Sequence, residues 1–287
     1  MHLEKQLLSL LQQERAPDEV LIFDDGSTDG TIELVQSFIR KNCLESWQFY
    51  VNAKRKGWKQ NFMEGLRKAA GDILFPCDQD DIWYPKKLAE MTAVMEQHPE
   101  IKLLACDYRV LYEPGALKAT VYKKTPAETQ GLITRYGFTK HFFMNPYPGC
   151  TYAVRRDFFD AVKELWFDGS PHDEFLWLMA AVQDGAWFYN RVLMDYVRYS
   201  NNASGVRYKD VALQKENLRY IHKQLCALQS FAAEHSDAVP VERCKMLAAA
   251  QIWCAKRQKL METRSPLRWL ALAPWCLGHL NESEKDG

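Results

Sequence analysis

The sequence predicts an α/β fold in which a mostly parallel sheet is flanked by helices. The first observation is that short apolar runs of strand type alternate with amphipathic helical patterns between Leu3 and Tyr108. Such alternation is typical of parallel sheets, because a helical crossover returns the chain to the start of the next strand. The second is that two acidic clusters directly follow predicted strands, at the edge where open α/β sheets bind ligands.

Apolar spacing and turn residues define the elements of the first half. Leucines recur at helical spacing from Leu3 to Leu11, and Pro17 ends that pattern. The strands that follow are short apolar runs, and each helix between them has one apolar face. In order, we predict a strand at Glu19–Phe23, a helix from Ile32, a strand at Trp47–Val51, a helix at Gln60–Ala70, a strand at Asp72–Pro76, a helix from Pro85 and a strand at Ile101–Tyr108.

The alternation loosens beyond Pro114, and the chain becomes mostly helical from Tyr208 to about Glu262. We therefore expect an α/β domain at residues 1–207 and a helical C-terminal region at residues 208–287. The elements expected between them are a surface excursion at Gly115–Pro148, a strand at Cys150–Val154, helices at Asp157–Leu165 and His172–Gln183, and an extended segment at Trp187–Tyr199.

Composition excludes several classes of protein. With 47% hydrophobic and 26% charged residues the chain is globular and not disordered. Its 37 basic residues balance 37 acidic ones, so we expect no broad surface for nucleic acid. The 8 cysteines form no CxxC pair, and we expect buried, reduced thiols of a cytosolic protein. The sequence shows no signal-peptide pattern and no apolar run long enough to span a membrane.

The first motif that carries chemistry is DDGSTD at Asp24–Asp29. It places two carboxylates at the end of a strand, followed by a glycine turn and residues that can cap a helix. A capped turn with no further role is the alternative interpretation. A dehalogenase-type nucleophile motif is rejected, because it requires an aspartate where Phe23 stands.

The second motif is DQDDIW at Asp78–Trp83. Asp78 and Asp80, two residues apart after a strand, can place hard oxygen ligands on one divalent cation bound to a diphosphate. A calcium loop of the EF-hand type is ruled out, because its glycine and glutamate positions hold Trp83 and Ala89. The alternative is an acidic cap on the following helix.

The third motif is His172-Asp173-Glu174 at the start of a predicted helix. A carboxylate is stabilised at a helix N-terminus by the helix dipole, so helix capping is the alternative to a catalytic role. A histidine of this kind is more often a packing residue than a base.

Five motifs in order resemble family 2 inverting glycosyltransferases with the GT-A fold, and especially the rhamnosyltransferase-like enzymes of bacterial surface polysaccharide synthesis. The resemblance covers about residues 2–205. The matching segments are DDGSTD at 24–29, GWKQNF at 57–62, GDILFPCDQDDIWYPKKL at 71–88, GCTYAVRR at 149–156 and HDEFLW at 172–177.

On the donor side the resemblance implies a site for a dTDP- or UDP-linked sugar. Asp24 and Asp25 would hold the base and ribose, and Asp78 and Asp80 would hold Mg²⁺ or Mn²⁺ on the diphosphate. The residues it places against the nucleotide sugar are Asp24, Asp25, Ser27, Lys59, Asp78 and Gln79.

On the acceptor side the resemblance implies that Asp173 is the catalytic base. Inverting transfer needs one carboxylate to take the proton of the acceptor hydroxyl as that oxygen attacks the anomeric carbon. The acceptor would be a glycan or a lipid-linked glycan. The residues expected to line the sugar and acceptor pocket are Asp81, Trp83, Gly149, Cys150, Thr151 and His172.

The sequence departs from the family pattern in two places. Family members begin with an apolar central strand that belongs to the nucleotide pocket, whereas this sequence opens on the helix that follows it, so backbone groups and apolar surface should be exposed. Secondly, YVRYSNNASG at 196–205 resembles a segment of the form YRxHGNNxxG. Tyr199 replaces its histidine and Val197 its arginine, with Arg198 as the candidate substitute.

The C-terminal segment Ser265–Leu280 is apolar and rich in tryptophan but too short to span a membrane. We expect a helix packed on the catalytic domain; peripheral contact with the inner face of the cell membrane is the alternative.

The leading hypothesis is a cytoplasmic, metal-dependent transferase that moves a sugar, with L-rhamnose as the first candidate, to a bacterial surface glycan. Its rival is a non-catalytic remnant that binds a sugar nucleotide or glycan. A phosphate-ester hydrolase is disfavoured, because no nucleophile motif is present.

Overall fold

The computed structural model describes residues 2–116, 129–139, 145–199 and 211–263. The chain divides into two compact units, residues 1–203 and residues 204–287.

The first unit contains eight strands and six α-helices within the described residues. The strands are β1 (Val20–Asp24), β2 (Trp47–Val51), β3 (Ile73–Leu74), β4 (Ile82–Trp83), β5 (Leu103–Tyr112), β6 (Ile133–Arg135), β7 (Tyr152–Arg155) and β8 (Ala186–Arg198). The helices are α1 (His2–Leu11), α2 (Thr31–Lys41), α3 (Trp58–Lys68), α4 (Lys87–Gln97), α5 (Arg156–Val162) and α6 (His172–Ala181). Short 3₁₀ turns lie at Gly149–Thr151 and Lys163–Leu165.

The α/β class is confirmed, but the strand pairing is mixed. β1 and β2 form a parallel two-stranded sheet, and a six-stranded sheet has the order β3-β7-β5-β8-β4 with β6 also on β8. Only the β1/β2 and β5/β8 pairs are parallel; the other four pairs are antiparallel. Two of the antiparallel strands, β4 and β6, have only two and three residues, too short for a clear period in the sequence. The other two, β3 and β7, overlap the strands predicted at Asp72–Pro76 and Cys150–Val154.

The core of this unit lies around β5, α4 and α6. Leu103–Cys106 of β5 are fully buried, and so are Met91 and Met95 on the inward face of α4. After its polar first turn, helix α6 is apolar all round, and every residue from Phe175 to Ala181 is buried, which is typical of a helix enclosed by the fold. Burial of each large apolar side chain contributes about 1.5–3 kcal/mol. These three elements therefore form the buried support on which the candidate site is built.

The edge of β1 is open by contrast. Within the described residues β1 pairs with β2 alone, and β3 pairs with β7 alone. The apolar residues Val20–Phe23 are only half-buried, although an apolar run of this kind is typical of an enclosed strand. This is the place where the family resemblance expects a further strand.

The second unit is helical where it is described, with α7 at Val211–Glu234 and α8 at Val241–Thr263. Cys254 on α8 donates from its thiol to the Leu218 carbonyl of α7 at 3.4 Å. Among the described helices of the chain, none has the length and apolar character needed to cross a membrane. The segment Ser265–Leu280 lies outside the described residues, as do residues 117–128 and 140–144 of the predicted excursion after Pro114.

The cysteines of the described residues are free thiols. Cys106, Cys150 and Cys254 are buried, as expected, whereas Cys43 and Cys226 are exposed.

Candidate active site

The loop after β1 is shaped by its two aspartates. Asp24 is buried, and its Oδ1 accepts hydrogen bonds from the Gly26 and Ser27 amides at 2.9 and 2.8 Å. Gly26 has a φ of +80°, a conformation that glycine adopts without strain. Asp24 thus fixes the turn, and Ser27 is half-buried within it.

Asp25 reaches from this loop to the start of α3. Its carboxylate accepts hydrogen bonds from the Lys56 and Gly57 amides, both at 2.8 Å, and from the Asn52 side chain at 3.0 Å. Partial burial raises the pKa of Asp25, but these hydrogen bonds and the nearby Arg55 charge outweigh it and lower the pKa below its ordinary value. Asp25 therefore joins the β1 and β2 loops while staying ionised.

A second group of acidic residues follows β3. The carboxylates of Asp78 and Asp81 and the thiol of Cys150 offer ligand atoms that all lie within 4.8 Å of one another. Asp81 is fully buried; its Oδ1 accepts a 3.3 Å hydrogen bond from the Val197 amide. Its Oδ2 is buried without a hydrogen-bond partner among the described residues. We call Asp78, Asp81 and Cys150 the acidic cluster.

Asp80 belongs to a neighbouring arrangement. It is hydrogen-bonded to Tyr199, which also interacts with Gln79. The Tyr199 ring stacks on His2 with the ring centroids 5.2 Å apart. The structure thus brings Asp78 together with Asp81 and Cys150, while the other predicted metal ligand, Asp80, contacts the residue that replaces the histidine of the family pattern.

The carboxylates in and around the acidic cluster repel one another. Burial, followed by the charges of Asp81, Asp80 and Asp173, raises the pKa of Asp78 well above its ordinary value. Burial also raises the pKa of Asp81, to about 7, although the Cys150 thiol lowers it in part. Carboxylate oxygens are the ligands that Mg²⁺ and Mn²⁺ prefer, and a cation would offset the repulsion and satisfy Asp81 Oδ2. The two carboxylates, rather than the thiol, therefore fit a divalent cation of this kind.

Asp173 lies at the N-terminus of α6, close enough to Asp78 for their charges to interact. Its Oδ1 accepts a 2.9 Å hydrogen bond from the Glu174 amide, and the carboxylate also accepts one from the Gly149 amide. Burial raises the pKa of Asp173, and these hydrogen bonds oppose the increase. The structure thus assembles Asp78 and Asp173, which are far apart in sequence, at one site.

Gly149 and His172 pack directly against this carboxylate. A Cβ atom at Gly149 would lie 2.6 Å from His172 Nε2 and 2.9 Å from the Cβ of Asp173, so only glycine fits without displacement. His172 stacks on Phe62 with the ring centroids 4.0 Å apart, and burial lowers the pKa of His172 to about 3. His172 is accordingly neutral and packs the site.

The remaining predicted residues support the site at a greater distance. Lys59 donates to the Gly169 carbonyl at 2.6 Å, and its charge acts on Asp173. Thr151 is fully buried and donates to the Pro148 carbonyl at 2.7 Å. Trp83 is also buried, with its ring edge-on to Phe75.

Sequence reasoning missed two residues. Asn52 holds Asp25 and also donates to Asn61 at 2.6 Å. Lys87 lies fully buried beside the acidic cluster. The signal for Lys87 was present, because it precedes Met91 by four residues and Met95 by eight and so lies on the apolar face of α4.

Comparisons with known proteins identify the class. The structure resembles the crystal structure of S. aureus TarS 1-349 in complex with UDP-GlcNAc, with a TM-score of 0.61, 15% identity and coverage of 91% of this chain and 77% of that one. It also resembles GalNAc-T7 crystallised with UDP, GalNAc and Mn²⁺, with a TM-score of 0.53, 15% identity and coverage of 85% and 51%. The fold is that of the GT-A glycosyltransferases.

The sequence places the chain within that class. The family model "Glycosyl transferase family 2" matches residues 2–159, and the chain belongs to this family and is a glycosyltransferase. A dTDP-rhamnosyl transferase, RfbG of Shigella flexneri, is 23% identical over 256 residues, which is 82% of each chain.

Proposed function

We propose that this glycosyltransferase inverts the anomeric centre of a nucleotide sugar, depends on a divalent metal and uses Asp173 as its base. The observation that carries the proposal is the meeting of the acidic cluster with Asp173. The transfer needs a cation site for the diphosphate and one carboxylate for the acceptor, side by side. All these residues lie within the 1–207 segment, to which we assign the reaction.

Asp173 is suited to the role of base by the way it is held. The Gly149 and Glu174 amides fix its carboxylate, and burial raises its pKa toward the range in which a carboxylate accepts a proton more readily. Its remaining lone pairs would receive the proton of the acceptor hydroxyl. His172 is neutral and packed on Phe62, so it orients α6 and is not the base.

A Mg²⁺ or Mn²⁺ ion held by Asp78 with Asp80 or Asp81 would offset the charge that develops on the leaving nucleoside diphosphate. The mutual repulsion of these carboxylates supports the assignment. The loop at Asp24–Ser27 and Asp25 would shape the nucleotide side, with Gln79 and Lys59 nearer the sugar.

For the donor we propose a dTDP- or UDP-linked sugar, with dTDP-L-rhamnose first. The similarity to a dTDP-rhamnosyl transferase supports rhamnose, and the likeness of fold to a protein crystallised with UDP-GlcNAc makes UDP-GlcNAc the comparison substrate. We propose a bacterial surface glycan, free or lipid-linked, as the acceptor, reached from the cytoplasmic face of the membrane.

The test is transfer from each donor with Mn²⁺, Mg²⁺ or chelator, for wild type and Asp173→Asn. We expect metal-dependent turnover that falls by about 10²–10⁴-fold in the variant, the usual contribution of a general base. Glu174→Gln is the matched control, since it removes a neighbouring carboxylate on the same helical turn but keeps the amide that holds Asp173. Equal turnover in wild type and Asp173→Asn would reject Asp173 as the base.

A binding-only protein is the second candidate, and the Tyr199–Asp80 hydrogen bond favours it, because it engages a carboxylate that the resemblance assigns to metal. Calorimetry with dTDP and UDP in the presence of Mn²⁺ separates the two. Binding without turnover of any donor would favour the binding protein.

A further inference from the structure

Lys87 is a buried cation that the proposed reaction does not use. The residue is 0% exposed, which is rare for lysine because an ammonium group loses its hydration on burial. Its Nζ donates to the Cys150 carbonyl at 2.9 Å and lies 3.5 Å from Cys106 Sγ and from Met194 Sδ. The ammonium also lies 4.6 Å from the centre of the Trp83 ring. Among the described residues, its one strong acceptor is therefore the carbonyl of Cys150.

That carbonyl belongs to the turn that holds the proposed base. Gly149–Thr151 form one 3₁₀ turn, in which the Gly149 amide donates to Asp173 and the Cys150 carbonyl accepts from Lys87. The two hydrogen bonds act on adjacent residues of a short turn. A shift of the turn away from Lys87 would therefore move the amide that orients Asp173.

Lys87 also lies among the buried acidic groups. Its positive charge acts on Asp81 and on Cys150. Asp81 is fully buried and has one oxygen without a partner among the described residues. An uncompensated buried charge is strongly unfavourable, and a nearby opposite charge offsets part of that cost. Lys87 is thus placed to balance Asp81 across Cys150.

We propose that Lys87 is a positioning residue for the transfer: it fixes the Gly149–Thr151 turn through the Cys150 carbonyl, and so sets the orientation of Asp173. Its effect on turnover rests on the proposed function, whereas its effect on the turn does not. The charge balance with Asp81 is the structural part of its role, and the hydrogen bond to Cys150 is the positioning part.

The first experiment compares Lys87→Met with Lys86→Met. Methionine keeps the length of the buried side chain, and the exposed Lys86 provides the same loss of charge on the adjacent residue. We expect kcat to fall about 10- to 100-fold in Lys87→Met, the range for a slightly misplaced catalytic group, with the donor KM changed less than about threefold. Lys86→Met should stay within about twofold of wild type. Equal kcat in the two variants would overturn the proposal.

The second experiment separates positioning from charge balance. Asp81→Asn combined with Lys87→Met removes both buried charges, so the melting temperature lost in Lys87→Met should be largely regained. Because the Cys150 carbonyl still lacks its donor, kcat of the double variant should remain at least about tenfold below that of Asp81→Asn alone. If kcat of the double variant equalled that of Asp81→Asn, Lys87 would act only by balancing the charge of Asp81, and the positioning role would be overturned.

Amide hydrogen exchange provides a measurement that needs no turnover. In Lys87→Met the amides of 149–151 should exchange several-fold faster, while Lys86→Met leaves them unchanged. Unchanged exchange in Lys87→Met would overturn the proposal even if the enzyme is active. Absence of transfer by wild type with every donor would instead reject the proposed function, and the exchange result would still decide the role of Lys87.

Discussion

The two acidic loops of the α/β unit hold their carboxylates in opposite ways. After β1, Asp25 is half-exposed and accepts three hydrogen bonds, and its pKa lies below the ordinary value. After β3, Asp78 and Asp81 lie against each other and a thiol, and their pKa values are raised. Both loops occupy the same kind of position, directly beyond a strand.

The difference follows from the donors that each loop meets. The β1 loop faces the amides of Lys56 and Gly57 and the Asn52 side chain, which together donate three hydrogen bonds to the Asp25 carboxylate. The β3 loop faces other acidic groups, so its carboxylates retain repulsion that a cation would relieve. On the proposed function, the β1 loop would shape the nucleotide side independently of metal, whereas the geometry and stability of the β3 loop would depend on metal.

Among the variants that test this contrast, Gly149→Ala should have the largest effect on transfer, and it tests how tightly the acidic side is packed. The new methyl group would lie 2.6 Å from His172 Nε2 and 2.9 Å from the Asp173 Cβ. We expect a loss of about 1–3 kcal/mol in the free energy of unfolding, as for other overpacked sites, and a fall in transfer of at least about tenfold. Thermal unfolding and transfer rates measure both.

Gly137→Ala is the control, since a Cβ there meets its nearest neighbour, a Thr139 methyl, at an ordinary 3.9 Å. If the two alanine variants lost stability and transfer activity equally, Gly149 would not be tightly packed against His172 and Asp173. The contrast between the packed acidic side and the open β1 side would then fail.

Asp81→Asn tests whether the buried, mutually repelling carboxylates of the acidic cluster destabilise the folded state. Because the pKa of Asp81 rises from 3.8 to about 7 on folding, the folded state holds the proton more tightly than the unfolded state. Its contribution to stability is present below about pH 4 and is lost as the pH rises to 7. Asp81→Asn should therefore unfold at a higher temperature than wild type at pH 8, and the difference should vanish near pH 4.

The upper bound of this gain is about 4 kcal/mol, at about 1.4 kcal/mol per pKa unit. Mn²⁺ should raise the melting temperature of wild type at pH 8 and chelation should reverse it, with a smaller response in Asp81→Asn. A variant less stable than wild type at pH 8 would contradict this destabilising repulsion. The control for Asp81→Asn is Asp157→Asn on α5. Asp195→Asn would be unsuitable, because the Asp195 carboxylate forms an ion pair with Arg109 at 2.7 Å.

The strands with a clear apolar run were predictable from the sequence. β1, β2 and β5, and helices α2 to α4, follow from apolar period and turn residues, since these signals act locally. The short strands β4 and β6 were not predictable, because two or three residues carry no period and owe their structure to β8. These two antiparallel additions to β8 therefore had to come from the structure, whereas β7, the antiparallel neighbour of β5, overlaps the strand predicted at Cys150–Val154.

The residues of the candidate site were likewise predictable only where the signal is local in the sequence. The motif at Asp78 and the carboxylate at Asp173 were visible as residue types at the right places. Asp81 and Cys150 were expected in the pocket, but their contact with each other was not predicted and Lys87 was missed, because these three residues meet only through tertiary packing. A sequence pattern favours the pair two residues apart, Asp78 and Asp80, while the backbone turns Asp81 toward Cys150 and Asp80 toward Tyr199.

The smallest effect should come from Asp25→Asn, which tests whether the β1 loop is independent of metal. An amide has one acceptor oxygen, so the variant loses at least one of the bonds from the Lys56 and Gly57 amides, at a cost of about 1 kcal/mol. Asp29→Asn is the matched control, since Asp29 lies in the same motif but bonds only to Thr31 at its own helix start. Thermal unfolding with and without Mn²⁺ should show a slightly lower melting temperature in Asp25→Asn and the full wild-type response to the metal. Loss of that response would mean that the two loops act as one metal-dependent site, because a change at the β1 loop would then have reached the acidic cluster.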